Sequence, residues 1–181
     1  RYHDPMIYQN GKVRDELKRR YGPDMYVDFL GEFMEKNSKT GKPFFAFYSM
    51  ALAHDVTDDL KWQVPYAPGK DRWMNYGEMV ESMDAMVGRL ITKLDALKLR
   101  ENTLIVYVTD NGWIQHPSRN GYGPRSKQTP YEGGTRTPIM FNWPGTIKPG
   151  STCDTPVTGV DWLPTFAEMA GIDDIAGKLK K

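Results

Sequence analysis

The apolar residues of the chain recur with two different spacings, which predict helices and strands in alternation. Apolar positions three or four residues apart predict three helices, at about 24–36, 76–97 and 161–170. Nearly continuous apolar runs predict three strands, at 44–50, 104–108 and 139–141. The first two of these runs have the composition of strands that are buried on both faces of a sheet.

Strands that alternate with helices indicate an α/β domain. The helix between the strands at 44–50 and 104–108 gives the order of a βαβ unit, which predicts a parallel pair of strands joined by a crossover helix. The predicted fold class is therefore a layered α/β/α domain with a mostly parallel sheet. In open parallel sheets, ligands bind beyond the carboxyl ends of the strands, so candidate site residues are expected there.

Single residues at the ends of the predicted helices mark their boundaries. Asp24 and Asp161 stand at two helix starts, and each is predicted to cap its helix. Gly171 follows the last helix and is predicted to end it. Methionines near the start of the long helix, among them Met79, have the spacing of core residues, which favours packing over a soft-metal site.

Polar clusters follow two of the predicted strands. Asp110 and Asn111 come directly after the strand at 104–108, and His54 lies a few residues beyond the strand at 44–50. A carboxylate and an amide oxygen are hard ligands suited to calcium or magnesium, although Asp-Asn-Gly is also a strong turn sequence. A histidine here can hold or protonate an anion, or serve as a hydrogen-bonded structural group. Both interpretations stay open on the pattern alone.

The segment from Trp113 to Pro138 is long and rich in glycine, proline and cations. Loops of this length are usually functional or disordered. Cations beside a strand end that binds a metal would suit a tetrahedral oxyanion such as sulfate or phosphate, whereas a solvated basic loop is the alternative. The cations of this loop are Arg119, Arg125, Lys127 and Arg136.

Composition narrows the functional classes. The 181 residues carry a formal net charge of +1, which gives no electrostatic argument for nucleic acid or an anionic membrane. No apolar run is long enough to predict a transmembrane helix. Cys153 is the single cysteine, which excludes an internal disulfide and a cysteine-based metal cage. Nothing in the composition indicates an oligomeric state.

Several motifs, in order along the chain, resemble the sulfatase family of the alkaline-phosphatase-like superfamily. The most specific is 127–138, Lys-Gln-Thr-Pro-Tyr-Glu-Gly-Gly-Thr-Arg-Thr-Pro, which resembles the family pattern Gly-Lys-x-Thr-x-Tyr-Glu-Gly-Gly-x-Arg-x-Pro. Ser126 stands in the place of the first glycine. Residues 108–112 resemble the family's Ser/Thr-Asp-Asn-Gly metal motif. The resemblance covers about 43–173, with 1–42 as a helical lead-in and 174–181 as a tail.

The resemblance implies a role for each matching residue. Asp110 and Asn111 would be ligands of one calcium ion. Lys127 would contact the substrate sulfate and stabilise charge that develops in the transition state. His54, in Ala-Leu-Ala-His where the family often has Ala-Pro-His, would contact sulfate or protonate the leaving group. The implied substrate is a sulfated small molecule or carbohydrate.

The resemblance also implies a nucleophile that this chain does not contain. Family members use a formylglycine made from the first residue of a Cys/Ser-x-Pro-x-Arg motif, and neither Cys153, Ser118 nor Ser126 lies in one. The aspartate pair that would complete the calcium shell is not found either. The chain is therefore expected to be the C-terminal part of a catalytic domain, inactive alone, within a sulfatase exported to the periplasm or secreted. A phosphodiesterase or phosphonate hydrolase, or a non-catalytic metal- or anion-binding homologue, are the alternatives.

Overall fold

The computed structural model describes residues 2–14, 17, 20–54, 74–113 and 124–178. The chain divides into two compact units. The first unit comprises Arg1–Lys98 and Thr155–Lys181, and the second comprises Leu99–Asp154. The helices predicted at 24–36 and 76–97 lie in the first unit, whereas the strands predicted at 104–108 and 139–141 lie in the second.

Two long helices form the centre of the first unit. Helix α1 spans Gly22–Ser38 and helix α2 spans Tyr76–Ala96, which confirms both predictions to within two residues. Each helix buries one apolar stripe, because its apolar residues recur every three or four positions. The buried residues are Val27, Leu30 and Met34 on α1 and Met79, Met86 and Leu94 on α2.

Ion pairs at the edges of this interface join the two helices. Arg89 of α2 donates to Asp24 at 2.5 Å and to Asp28 at 2.6 Å on α1. Lys93 donates to Glu35 at 2.6 Å, and this bond lowers the pKa of the Glu35 carboxyl below its usual range. The pairs are partly exposed, so each contributes little to stability compared with the buried stripes.

The predicted cap of helix α1 is wrong, as is that of the last predicted helix, described below. Helix α1 begins two residues before Asp24, with Tyr21 at the N-cap, no side-chain cap and Pro23 in the first turn. Asp24 did not cap the helix because its carboxylate binds Arg89 instead. Helix α2 begins with a capping box, in which Asn75 and Glu78 each accept the other's backbone N–H, at 2.9 and 3.0 Å.

A short hairpin precedes α1 and was not predicted. Strand β1, Tyr8–Gln9, pairs antiparallel with strand β2, Lys12–Val13. The turn between them is Asn10-Gly11, and both residues have left-handed φ, 52° and 78°. An Asn-Gly pair is a strong signal for such a two-residue turn, so the hairpin could have been predicted from the sequence.

The apolar segment at 44–50 does not form the predicted strand. Its aromatic side chains pack against helices: Phe44 meets Phe33 edge-on at 5.6 Å between ring centroids, and Phe45 lies 5.9 Å from Phe166. Phe47 remains 79% exposed, so the segment is not buried on both faces. No described backbone pairs with it. Because a strand is defined by its hydrogen bonds to a neighbouring strand, the run forms no strand here.

The second unit contains the strand predicted at 104–108, now strand β3 at Ile105–Val108. It pairs with strand β4, Ile139–Asn142, in the register Val106 with Phe141. The pair is antiparallel, and among the described residues no strand pairs parallel with β3. The predicted parallel pair requires the 44–50 run as its second strand, and that run forms no strand here. A four-residue helix, α3 at Glu132–Thr135, lies between β3 and β4 in the chain.

The first unit ends in two short helices. Helix α4 spans Trp162–Met169, and Gly171 follows it with φ 70°, which confirms the predicted end. Asp161 stands at the start of α4 but makes no cap there, because its carboxylate accepts the backbone N–H of Thr158 at 2.6 Å. Helix α5 follows at Ile175–Lys178. Among the described residues, no helix combines the length and apolar character required to cross a membrane.

Candidate functional site

The end of strand β3 presents the two candidate metal ligands. Asp110 is exposed, and its carboxylate makes no hydrogen bond or ion pair with another described residue. Asn111 is half-buried, and its side-chain Nδ2 donates to the carbonyl of Gly112 at 2.9 Å. Because that bond fixes the amide group through its nitrogen, the Asn111 Oδ1 atom remains available as an acceptor.

The donor chemistry at this strand end fits a hard cation. Carboxylate and amide oxygens are the ligands that calcium prefers, and calcium takes about six to eight of them. The hydroxyl of Thr109 is buried without a hydrogen-bond partner, which leaves another polar oxygen beside the same turn. Within the described parts of the chain, no group of three or more His, Cys, Asp or Glu residues converges. Asp110 and Asn111 therefore fit part of a calcium shell rather than a complete one.

The described part of the loop that carries Lys127, residues 124–131, lies directly against this strand end. We call these residues the lysine loop. The backbone N–H of Lys127 donates to the carbonyl of Trp113 at 2.9 Å, and that of Gly112 donates to Gly134 at 2.9 Å. Trp113 therefore lies beside the lysine loop, and Gly112 lies beside helix α3. The backbone of Lys127 thus lies next to Trp113, two residues beyond Asn111, and the site roles of Asp110, Asn111 and Lys127 stay a prediction.

The lysine loop has an unusual backbone for residues with side chains. Arg125 and Gln128 both have left-handed φ, 61° and 70°, on either side of Ser126 and Lys127. Ser126 has no exposed surface, and its carbonyl accepts the hydroxyl of Thr129 at 2.6 Å. Left-handed non-glycine residues cost about 1–3 kcal/mol each and persist only where the surroundings impose them. The loop is therefore held in this shape by its contacts.

Three glycines supply those contacts, because each approaches another backbone too closely for a side chain. A Cβ at Gly112 would overlap the carbonyl of Gly133, and one at Gly133 would overlap the carbonyl of Arg125. A Cβ at Gly134 would overlap the carbonyl of Thr129 and lie 2.6 Å from that of Ser126. We call this set, Gly112, Gly133 and Gly134, the glycine junction.

The glycine junction is the part of the site that sequence reasoning missed. All three glycines stood in the quoted motifs, Asp-Asn-Gly and Glu-Gly-Gly, but were read only as signs of a turn or of the family. Glycine beside a chemically active residue often signals a close backbone approach, and that signal was present at Gly112 and Gly133.

Two arginines near Lys127 make local contacts, Arg125 in the lysine loop and Arg136 at the end of helix α3. The guanidinium of Arg125 lies over the ring of Tyr131, 5.1 Å from its centroid, as a cation–π contact. Arg136 forms an ion pair with Glu132 at 3.3 Å, one turn earlier in helix α3. Lys127 is half-buried next to the strand end, unlike the exposed arginines. Of the cations named in this loop from the sequence, Arg119 lies outside the described residues.

His54 belongs to the first unit, whereas Asp110, Asn111 and Lys127 belong to the second. Its side chain is exposed at the end of a turn in which its backbone N–H donates to the carbonyl of Ala51 at 3.0 Å. The same carbonyl accepts the hydroxyl of Tyr2 at 2.8 Å, so Tyr2 helps to hold the turn. The role that the resemblance implies for His54 stays a prediction.

A strand end with hard oxygen donors next to a loop that carries a lysine is compatible with enzymes that act on tetrahedral oxyanions. The comparison with known protein families agrees, since residues 5–172 match the family described as Sulfatase. The chain belongs to the sulfatase family.

Several relatives and solved structures are similar to the chain. The steryl-sulfatase of Rattus norvegicus is 33% identical over 152 residues, which cover 79% of this chain and 25% of that protein. The arylsulfatase A of Homo sapiens is 35% identical over 150 residues, covering 81% and 29%. The crystal structure of Ps i-CgsB in complex with k-i-k-neocarrahexaose matches with a TM-score of 0.69 and 29% identity, covering 96% of this chain and 39% of that one. The chain thus spans about a quarter to two fifths of the length of these proteins.

Proposed function

We propose that the protein to which this chain belongs hydrolyses sulfate esters, with Lys127 as a sulfate-binding residue and Asp110 and Asn111 as calcium ligands. The observation that carries the proposal is the backbone bond from Lys127 to Trp113, at 2.9 Å, directly beyond the two candidate ligands. Membership of the sulfatase family supports the reaction class.

Each residue has a chemical role in this proposal. Calcium, when bound, supplies positive charge that polarises the sulfate and orients it. Asp110 and Asn111 would hold that ion through one carboxylate and one amide oxygen. The ammonium group of Lys127 donates to a sulfate oxygen and gains strength as negative charge builds up there, which favours the transition state over bound substrate. The nucleophile that we expect is a formylglycine contributed by another part of the protein.

The proposed substrate is a sulfated small molecule or carbohydrate. Ps i-CgsB, which is 29% identical to this chain, was solved with a bound k-i-k-neocarrahexaose. The steryl-sulfatase and arylsulfatase A relatives support a smaller sulfate ester. Turnover of a sulfated oligosaccharide compared with that of p-nitrophenyl sulfate, on the same preparation, distinguishes the two.

The test of the reaction class is the Lys127→Ala variant of the full-length protein. We expect kcat for p-nitrophenyl sulfate to fall by about 10²-fold or more, as when other preorganised donors to a developing oxyanion are removed. Lys148→Ala is the matched control, because Lys148 is an exposed lysine of the same unit. Equal turnover in wild type and Lys127→Ala would rule out the assigned role.

The metal assignment has its own test. Asp110→Asn removes one charge from the donor set without changing its size, so we expect weaker calcium binding by calorimetry and an activity that recovers at higher calcium concentration. Activity that is insensitive to both a chelator and the substitution would contradict the assignment. Turnover of an aryl phosphodiester above that of the sulfate ester would favour a phosphodiesterase, and calcium binding without any turnover would favour a non-catalytic homologue.

His54 is proposed, from the family resemblance, to contact sulfate or to protonate the leaving alcohol. If it is the acid, His54→Gln should slow esters of poorly acidic alcohols much more than p-nitrophenyl sulfate, since a good leaving group needs little protonation. An equal loss for both classes of ester would indicate that His54 acts on sulfate binding or on structure.

A further inference from the structure

The backbone of the candidate site is held by contacts that exist only because three residues lack a side chain. Gly112, Gly133 and Gly134 each bring a carbonyl or α-carbon into a space that a Cβ would fill. Interiors are close-packed, so an added methyl group cannot be absorbed without moving one of the two backbones. Here the neighbouring atoms are backbone carbonyls, which cannot swing aside as a flexible side chain would.

These contacts connect the loop proposed to bind sulfate, through Lys127, with the strand end proposed to bind calcium, through Asp110 and Asn111. Gly133 and Gly134, in helix α3, touch the carbonyls of Arg125, Ser126 and Thr129, which belong to the lysine loop. Gly112, directly after Asn111, touches the same helix and donates its N–H to Gly134 at 2.9 Å. Helix α3 is therefore a common support for the lysine loop and for the strand end with the candidate calcium ligands.

The shape of the lysine loop requires this support. The left-handed residues Arg125 and Gln128 turn the loop so that its carbonyls face helix α3, while Ser126 is completely buried between them. A shift of helix α3 would pass to Lys127 through these carbonyls, and through the bond from Lys127 to Trp113 to the strand end. A misplacement of about 1 Å at a reacting centre can cost about 10²-fold in rate.

We propose that Gly112, Gly133 and Gly134 are positioning residues for the sulfatase reaction, which set the distance between the Lys127 ammonium group and the metal ligands Asp110 and Asn111. This inference rests on the proposed function, since it assigns a role to Lys127. It adds that the glycine junction acts on the rate through Lys127, and not merely on the stability of the fold.

The test is a double-mutant cycle in the full-length protein. Gly133→Ala should lower kcat by about 10²-fold in the wild-type background. In a Lys127→Ala background the same change should have almost no further effect, because residues that act as one unit are strongly non-additive. Gly159→Ala is the matched control, since no atom lies within 4 Å of a Cβ at that position and its φ is not left-handed.

A second variant keeps the proposal testable if Gly133→Ala does not fold. Thr129→Val removes the hydroxyl bond to the Ser126 carbonyl, 2.6 Å long, and adds no bulk. We expect kcat to fall by about fivefold, the rate equivalent of one ordinary hydrogen bond, in the wild-type background only. Calcium affinity should stay unchanged, because neither candidate ligand is altered.

The possible outcomes separate this inference from the proposed function. If Lys127→Ala retains full turnover, the proposed role of Lys127 is wrong. If Lys127→Ala is impaired but Gly133→Ala and Thr129→Val lower kcat equally in both backgrounds, the junction is only structural and the inference is overturned. The inference is also overturned if both loop variants fold and keep wild-type kcat.

Discussion

The two units of the chain are packed in opposite ways. In the first, large side chains from helices α1 and α2 and from the segments beside them form a core cluster, in which Met79 is only 1% exposed. In the second, the closest contacts around the candidate site are between backbones and depend on glycine. A side-chain core can be weakened by removing atoms, whereas a glycine contact can be broken only by adding them. We infer that side-chain packing in the first unit mainly stabilises the fold, whereas the glycine contacts in the second fix distances between backbone segments of the candidate site.

The largest expected effect is on the side-chain core. Met79→Ala leaves a cavity in the core cluster that Met79 forms with Tyr2, Val27 and Leu52, so we expect the free energy of unfolding to fall by about 2–5 kcal/mol. Urea denaturation of the full-length protein measures this. Met6→Ala is the control, because Met6 is 80% exposed and should change stability very little.

A smaller loss is expected where the glycine junction is overfilled. Gly134→Ala should cost about 1–3 kcal/mol of stability, since the added methyl group meets the carbonyls of Ser126 and Thr129. Gly88→Ala, at an exposed position in helix α2 with open space around it, should instead stabilise the protein by about 0.5–1 kcal/mol. A Gly134→Ala protein as stable as wild type would mean that the junction can relax, and the contrast between the units would be lost.

Three tyrosines should make the stability of the first unit depend on pH. Burial raises the pKa of Tyr2 to about 12, and that of Tyr21 and Tyr48 likewise to about 12. The unfolded chain loses these protons near pH 10 and the folded chain near pH 12, so the folded state binds more protons between those values. Stability should therefore be complete below pH 10 and fall as pH rises towards 12.

Tyr2→Phe separates the two contributions of that residue. At neutral pH it removes the hydroxyl bond to Ala51, 2.8 Å long, which should cost about 1 kcal/mol. Between pH 10 and 12 it should lose less stability than wild type, because one of the titrating phenols is gone. Denaturation midpoints at pH 7, 10 and 11.5 measure both effects, and an unchanged slope above pH 10 would contradict the assignment.

The smallest effect is expected at the surface of the α1–α2 interface. Arg89→Met removes two partly exposed ion pairs, with Asp24 and Asp28, that typically contribute about 0.2–1 kcal/mol each. The difference from wild type should shrink in 1 M salt, where the Debye length is about 3 Å. A large, salt-independent loss would show that Arg89 contributes through packing of its stem.

The fold was predictable where a pattern acts within one element. The spacing of Val27, Leu30 and Met34 predicted α1, and the apolar run before Asp110 predicted β3. The 44–50 run misled the prediction because a continuous apolar run states only that its side chains will be covered. Here Phe44 and Phe45 contact aromatic residues of helices, yet Phe45 and Phe47 stay largely exposed, and sequence composition cannot distinguish this arrangement from burial within a sheet.

The candidate site was named through its residue types and its family motifs. Asp110, Asn111 and Lys127 come from the sequence, and their roles stay a prediction, while the backbone bond from Lys127 to Trp113 places the lysine near the strand end. His54 was named in the same way, and its role still depends on the family resemblance. The glycine junction was not predicted. A glycine adds nothing to a hydrophobic pattern, and its importance here depends on the backbone atoms that a Cβ would overlap.

The amino-acid sequence by itself determined the helices, the strand before the candidate ligands and the family, since these depend on local spacing and on motifs read in order. Only the tertiary structure decided which strand pairs with β3, which aromatic residues the 44–50 run contacts and how closely the lysine loop approaches the strand end. Those are contacts between residues far apart in the chain. Their geometry follows from which backbones can approach within van der Waals distance, and no local pattern carries that information.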